Sequence, residues 1–310
     1  MQPAPISVLV IDYPGAMQSA IAGWKDLFAL ANRMTEEDAA DTRFIVDYAH
    51  VDHLPANTVY TLVLLPPSVE GDYYCTPARA LIDWLLQHHQ QGSVLCSACA
   101  GSFILAATGL VDGRPVTTHW ALANELADAY PQLRLDAQEI LVNDGDIISA
   151  GGLMSWVDLG LEIVAQYASA ATMRKLGRYM IVDTAKRQQQ YYSSFSPRFD
   201  HGDASVVKAQ HFLQQHYTKP LRIPDLAKHT HLSQRTLLRR FTENTELSPL
   251  MYLQRVRVQK ACDLLESSQQ SIESITYQVG YNDVSAFRKI FKRTMGLSPA
   301  EFRLRFGGLR

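Results

Sequence analysis

Short apolar runs alternate with stretches of helical spacing over the first 180 or so residues, after which helical spacing alone remains. The runs ISVLVIDY (6–13), RFIVDYAHV (43–51), TVYTLVLLPP (58–67) and SVLC (93–96) read as strands, being rich in β-branched and aliphatic residues. Between them, SAIAGWKDLFALANRM (19–34) repeats its apolar positions every three to four residues, and PARALIDWLLQHHQQ (77–91) does so behind Pro77, so both read as helices. Further on, EILVNDGDIISAGG (139–152) reads as a hairpin turning at Asp144-Gly145, and LMSWVDLGLEIVAQYAS (153–169) as one long amphipathic helix. This succession is that of an α/β domain, a parallel sheet covered on both faces, whose ligands bind beyond the carboxyl ends of the strands.

The polar stretch AKRQQQYYSSFSPRFDHGDAS (185–205) carries no apolar period and reads as a linker. From Val206 the pattern is helical and contains a repeat: LLRRFTENTELSP (237–249) aligns with FRKIFKRTMGLSP (287–299) at an offset of 50 residues. Each copy holds a turn ahead of a capping Ser233 or Asp283, a helix dense in Arg and Lys, and an L-S-P that reads as its stop. PLMYLQRVRVQKACDLLESS (249–268) reads as one helix joining two helix-turn-helix units. The expected division is a domain over 1–187, a linker over 188–204 and an all-α domain over 205–310.

Charge supports two halves with different partners. The chain of 310 residues has a net charge of −2, but residues 1–200 hold 12 Lys+Arg against 22 Asp+Glu, and residues 201–310 hold 17 against 9. A basic helical end on an acidic body fits a nucleic-acid-binding module attached to a small-molecule-binding one. No apolar run approaches the roughly 18 residues of a membrane span. No basic segment precedes the first apolar run, so a cytoplasmic protein is expected. Four cysteines make no disulfide framework, and Cys96 and Cys99 form a lone C-x-x-C, so no metal or cofactor is expected.

In VLCSACAGSFILAATG (94–109), Cys99 stands between the end of a strand and the start of a helix. A turn that tight lifts its apex side chain toward the site and aims backbone N–H groups at it, the arrangement of a nucleophile elbow. A buried cysteine acting as a small hydrophobe fits the same pattern.

The sequence from IPDLAKHTHLSQ to GLSPAEFR (223–303) resembles the DNA-binding domain of AraC/XylS-type transcriptional regulators. The landmarks are Leu226-Ala227, Ser233-x-x-x-Leu237-x-Arg239-x-Phe241, Arg257-x-x-x-Ala261, Gly280-Tyr281, Phe287-x-Lys289-x-Phe291-Lys292 and Gly296-Leu297-Ser298-Pro299. Thr276-Tyr277 departs from the Ile-Ala usual there, a change expected to alter packing. The resemblance implies base or phosphate contacts from Arg235 and Arg239, flanked by Gln234 and Arg240, and from Ser285, Arg288, Lys289 and Lys292 in the second unit. It implies a double-stranded DNA operator, a homodimer, and RNA polymerase as a partner if the protein activates.

Residues 5–185, with CAGSFILAATGLVDGRPVTTHW (99–120), resemble the class I glutamine amidotransferase-like (ThiJ/PfpI) domain carried by one branch of these regulators. That resemblance implies a flavodoxin-like sandwich with Cys99 at the elbow, His119 as its histidine partner, and a pocket including Ala100, Gly101, Gly15 and Trp24. Gln18, Ser19 and Ala20 occupy the first β-α turn, where active members place a carboxylate. Trp24 replaces a proline common in regulator relatives. A non-catalytic domain sensing an anionic or carbonyl-bearing small molecule, such as an amino-acid or amine derivative, is the expectation; a retained Cys-His hydrolase or amidotransferase-like activity and a thiol redox switch are the alternatives.

Overall fold

The computed structural model describes residues 5–37, 42–184, 188–195 and 197–308. The chain divides into two compact units, Met1–Gln189 and Gln190–Arg310.

The first unit runs β1 (Ile6–Asp12), α1 (Gln18–Glu37), β2 (Phe44–His50), β3 (Leu62–Leu65), α2 (Arg79–Gln90), β4 (Val94–Ala98), α3 (Gly101–Ala107), β5 (Pro115–Val116), α4 (Ala123–Ala129), β6 (Arg134–Leu135), β7 (Leu141–Asn143), β8 (Ile147–Ala150), α5 (Trp156–Tyr167) and α6 (Ala170–Met180). Six strands form one sheet in the order β2-β1-β3-β4-β8-β7, parallel except for the edge strand β7. Val8, Leu9, Val10 and Ile11 of β1 are all fully buried, as a strand covered on both faces requires. On α1 the stripe Ala20, Trp24, Leu27, Phe28 and Ala31 is buried at helical spacing. The crossovers through α1 and α2 leave β1 and β3 in opposite directions along the sheet, which puts those helices on opposite faces when both are right-handed. The reversal between β1 and β3 opens a crevice at their carboxyl ends.

Helix α6 is added to the sequence reading. The stretch 153–169 holds one helix, α5, which ends at Tyr167; Ala168 leaves helical geometry, and Ser169 caps a further helix, α6, by accepting from Thr172 N–H. The hairpin is present as β7–β8, with Asp144 N–H donating to Ile147 O and Gly145 at φ 88°.

The second unit is helical: α7 (Ala204–Gln215), α8 (Ile223–Thr230), α9 (Gln234–Thr245), α10 (Pro249–Ser267), α11 (Ile272–Gln278), α12 (Val284–Met295) and α13 (Pro299–Phe306). It has two cores, one around Leu226, Leu237, Phe241 and Tyr252, the other around Ile275, Phe287, Phe291 and Phe302. The L-S-P segments do not stop helices. α9 ends at Glu246 and α12 at Gly296, each in left-handed conformation, and Ser248 and Ser298 instead cap the helices that follow, with Pro249 and Pro299 in their first turns. The departure at 276–277 is absorbed locally: buried Thr276 donates its hydroxyl to Ile272 O at 2.7 Å, and Tyr277 is exposed.

Part of the segment read as a linker, residues 185–187 and 196, lies outside the described residues. Its neighbours are packed. Gln189 is buried in the first unit, and Phe195 meets Tyr252 edge-on in the second while its N–H donates to Gln259.

Candidate functional site

Cys99 follows β4 directly and has φ +54°, the left-handed conformation of an elbow apex. Its backbone is held on both sides: its N–H donates to Ala150 O at 2.7 Å, and its carbonyl accepts from Thr118 Oγ1 at 2.8 Å and from Ser102 N–H. Two residues on, Gly101 is there for space. A Cβ on it would lie 2.6 Å from Leu65 O, so α3 can start only this close to β3 without a side chain.

The environment opposes a thiolate. Cys99 is only 4% exposed, and burial pushes its thiol up to about 11, against a smaller pull from the Ala100 backbone. His119 does not offset this. Its Nδ1 accepts from Ala121 N–H at 3.0 Å, capping a short turn over Trp120–Leu122, and burial lowers its pKa, favouring the neutral ring. The one carboxylate hydrogen-bonded to a thiol in this region serves another cysteine, Glu125 accepting from Cys75 Sγ at 3.6 Å. Gln18 of the first turn instead donates to Asp12.

Tyrosines fill the crevice at the strand reversal, and sequence reading missed them. Tyr13 is 1% exposed, donates to Pro66 O and stacks on Tyr73, while Tyr74 packs edge-on to Phe103 of α3. Burial, and secondly the nearby Cys99, push the Tyr13 phenol up. Beside them is an open cavity of about 450 Å³ lined by Pro14, Gly15, Glu70, Asp72 and Tyr73, among others. Of the pocket residues named from sequence, Gly15 lines this cavity. Cys99, Ala100 and Gly101, at the elbow itself, are buried and do not line it, and His119 is half-buried. Trp24 is placed elsewhere: fully buried, it donates to Trp156 O at 2.8 Å and meets the Trp156 ring edge-on between α1 and α5. It packs the core and presents no surface to a ligand. No group of three or more His, Cys, Asp or Glu suited to a metal occurs among the described residues.

Gln189, last residue of the first unit, is the other group missed. Its Nε2 donates to Thr118 O, Glu139 O and Thr117 Oγ1 at 2.8, 2.9 and 3.2 Å, and its Oε1 accepts from Trp120 N–H at 3.1 Å. It therefore grips both sides of His119, on the segment whose Thr118 holds Cys99.

In the second unit, Ser233 caps α9 by accepting from Thr236 N–H, and Asp283 caps α12 by accepting from Ser285 N–H. On α9, Gln234, Arg235, Leu238, Arg239, Thr242 and Glu243 are exposed while Leu237 and Phe241 are buried. On α12, Ser285, Arg288, Lys289, Lys292 and Arg293 are exposed over buried Phe287 and Phe291. Arg239 is held by both oxygens of Glu243 at 2.9 and 2.8 Å. Arg240 is engaged elsewhere: its Nε and Nη2 close on the two oxygens of Asp203, the cap of α7, both at 2.6 Å. That fork joins α9 to α7, so Arg240 is better read as structural than as a DNA contact.

Arg257 joins the two cores. Its Nε and Nη2 donate to Tyr217 O and Lys219 O at 2.6 and 2.9 Å, and the guanidinium lies over the Tyr281 ring. Gly280, at φ +90°, sits so close to Thr218 that a Cβ would lie 2.6 Å from its carbonyl oxygen.

Comparison with known proteins matches residues 13–166 to the DJ-1/PfpI family and residues 226–305 to a helix-turn-helix domain. The HTH-type transcriptional regulator CdhR of Pseudomonas aeruginosa is 26% identical over 225 residues, 72% of this chain and 67% of its own. The HTH-type transcriptional regulator GlxA of Rhizobium meliloti is 28% identical over 209 residues, 67% of this chain and 64% of its own. The match thus spans about two thirds of each relative's length. A crystal structure of an AraC family transcriptional regulator from Pseudomonas putida, 15% identical, covers 57% of this chain and is itself fully covered, with a TM-score of 0.47. Residues 13–166 thus form a DJ-1/PfpI-family domain and residues 226–305 a helix-turn-helix domain, in a chain similar to HTH-type transcriptional regulators.

Proposed function

We propose that the protein is a sequence-specific, double-stranded-DNA-binding transcriptional regulator whose first unit senses a small effector without catalysing a reaction. The observation that carries the DNA half is the pair of capped helices α9 and α12, set 50 residues apart, each with a cationic face turned to solvent over a buried aromatic seam. Two such helices on one connecting helix suit successive major grooves about 34 Å apart. Arg235, Arg239, Arg288, Lys289 and Lys292, with Gln234 and Ser285, are the contacts in this reading.

The sensing half rests on a buried Cys99 whose thiol is pushed toward its neutral form, a His119 already committed as a cap, and an open cavity at Gly15 and Tyr73. Those features support binding over nucleophilic or redox chemistry, both of which need an accessible thiolate. The effector is an amino-acid or amine derivative, its amino group facing Glu70 and Asp72 in the cavity. The protein works in the cytoplasm as a homodimer on paired half-sites, and contacts RNA polymerase where it activates.

Selection of duplexes from a random pool by the full chain tests the DNA half, and enrichment of one sequence with two half-sites is the expected result. A pool that stays random would refute it. For the sensing half, a thermal-shift screen of nitrogenous metabolites should raise the melting temperature of the first unit by mass action. Cys99-dependent turnover of any small substrate would overturn the non-catalytic reading.

A further inference from the structure

We infer that Leu238 is a specificity-determining residue that reads the methyl group of a thymine in the major groove. The inference rests on the DNA-binding reading and goes beyond it by naming a base and a side chain. Leu238 is 39% exposed on the outer stripe of α9, between Arg235 one turn before it and Arg239 immediately after. A scattered surface leucine needs no explanation. This one is different because of where it stands, in the middle of the face whose flanking cations are turned toward a polyanion.

The internal repeat sharpens the point. At an offset of 50 residues, Leu238, Thr242 and Glu243 of α9 correspond to Arg288, Lys292 and Arg293 of α12. The second helix presents charge at each of these positions. The first replaces a cation with an aliphatic side chain and adds Glu243, which fixes the Arg239 guanidinium through both its oxygens. Such a face gives up phosphate attraction and gains shape. Thymine alone among the four bases carries a methyl group into the major groove, and apolar side chains meet it there. A Leu set between two arginines places an apolar contact where the cations anchor the helix.

The test uses the full chain and the duplex it selects from a random pool, with each thymine replaced in turn by deoxyuridine, which lacks only the methyl group. Wild-type affinity should fall about fourfold, the worth of burying one methyl group, at one or two positions of the half-site read by α9. Leu238→Ala should bind the thymine and uracil duplexes equally. Leu238→Arg should also lose the discrimination while its affinity depends more steeply on salt. Circular dichroism verifies that both surface variants are folded. A wild type indifferent to every replacement, or a Leu238→Ala that keeps the full discrimination, would overturn the inference while leaving DNA binding intact. Failure of the full chain to select any duplex would remove the DNA-binding reading and this inference with it.

Discussion

Replacing Gln189 with leucine keeps most of the side-chain volume and removes its amide. Four hydrogen bonds go with it, and they were made in a site only 3% exposed. Glu139 O keeps a partner in Thr117 Oγ1 at 2.9 Å, and Thr118 O keeps a longer one at 3.4 Å. The Trp120 N–H loses the acceptor it has. At about 1 kcal/mol for each of the two shortest bonds, plus about 1–3 kcal/mol for the Trp120 N–H left unpaired, the loss comes to roughly 3–5 kcal/mol. That is a large share of the roughly 5–15 kcal/mol that holds a domain folded. In a unit of this size each kcal/mol moves the melting temperature by about 2–4 °C, so a fall of roughly 10 °C is expected. The four tryptophans, Trp24, Trp84, Trp120 and Trp156, all lie in the first unit, so their fluorescence reports that unit alone. Thermal melts followed by tryptophan emission should show the drop. A fall below about 1 kcal/mol, or no change, would mean that water or a neighbouring side chain replaces the amide and that Gln189 is not the clasp described.

Cys99 should react with iodoacetamide along a pH profile centred near 11, leaving only about one thiol in a thousand ionised at pH 8; a midpoint near 8.5 would refute the buried-thiol reading. The raised pKa means that the folded state favours the neutral form, so its contribution to stability is intact below pH 9 and is lost as pH rises toward 11. The stability difference between wild type and Cys99→Ser should therefore shrink over that window. Gly280→Ala, which needs left-handed backbone and meets Thr218, should lower the helical circular-dichroism transition by about 1–3 kcal/mol and leave tryptophan emission unmoved. Arg257→Ala should cost about tenfold in affinity for a duplex with both half-sites and little for one half-site alone, because it loosens the two cores from each other; equal losses on both would refute that role.

Much of the fold was legible because its signals are local. The strands are apolar runs, the elbow is a strand and a helix with almost nothing between them, and the repeat shows itself by register. What escaped depends on contacts far apart in sequence. Arg240 looks like one more cation on a basic helix until Asp203, 37 residues earlier, closes on it. Gln189 is one glutamine in a polar run, with its partners 50 to 72 residues away. Trp24 is the instructive case. Family position suggested the mouth of the pocket, yet the spacing Ala20, Trp24, Leu27, Ala31 already described a buried stripe, and packing followed the spacing. α6 escaped although Met173, Leu176 and Met180 repeat at helical spacing against the core, because it is short and follows α5 with only Ala168 and Ser169 between them.

The elbow itself keeps a costly feature. A non-glycine residue in left-handed conformation costs of order 1–3 kcal/mol, and such strain persists only where the surroundings enforce it. Here the enforcing contacts are the backbone bonds of Cys99 to Ala150 at the end of β8 and to Thr118. Thr118 is bound in turn by Gln189, from which the chain passes directly into the second unit. An effector that displaced Thr118 would break a bond of Cys99 and a bond of Gln189 together. The left-handed backbone of Cys99 is thus held by bonds that tie the end of β8 to the His119 segment, and through Thr118 to Gln189, none of which involves the thiol.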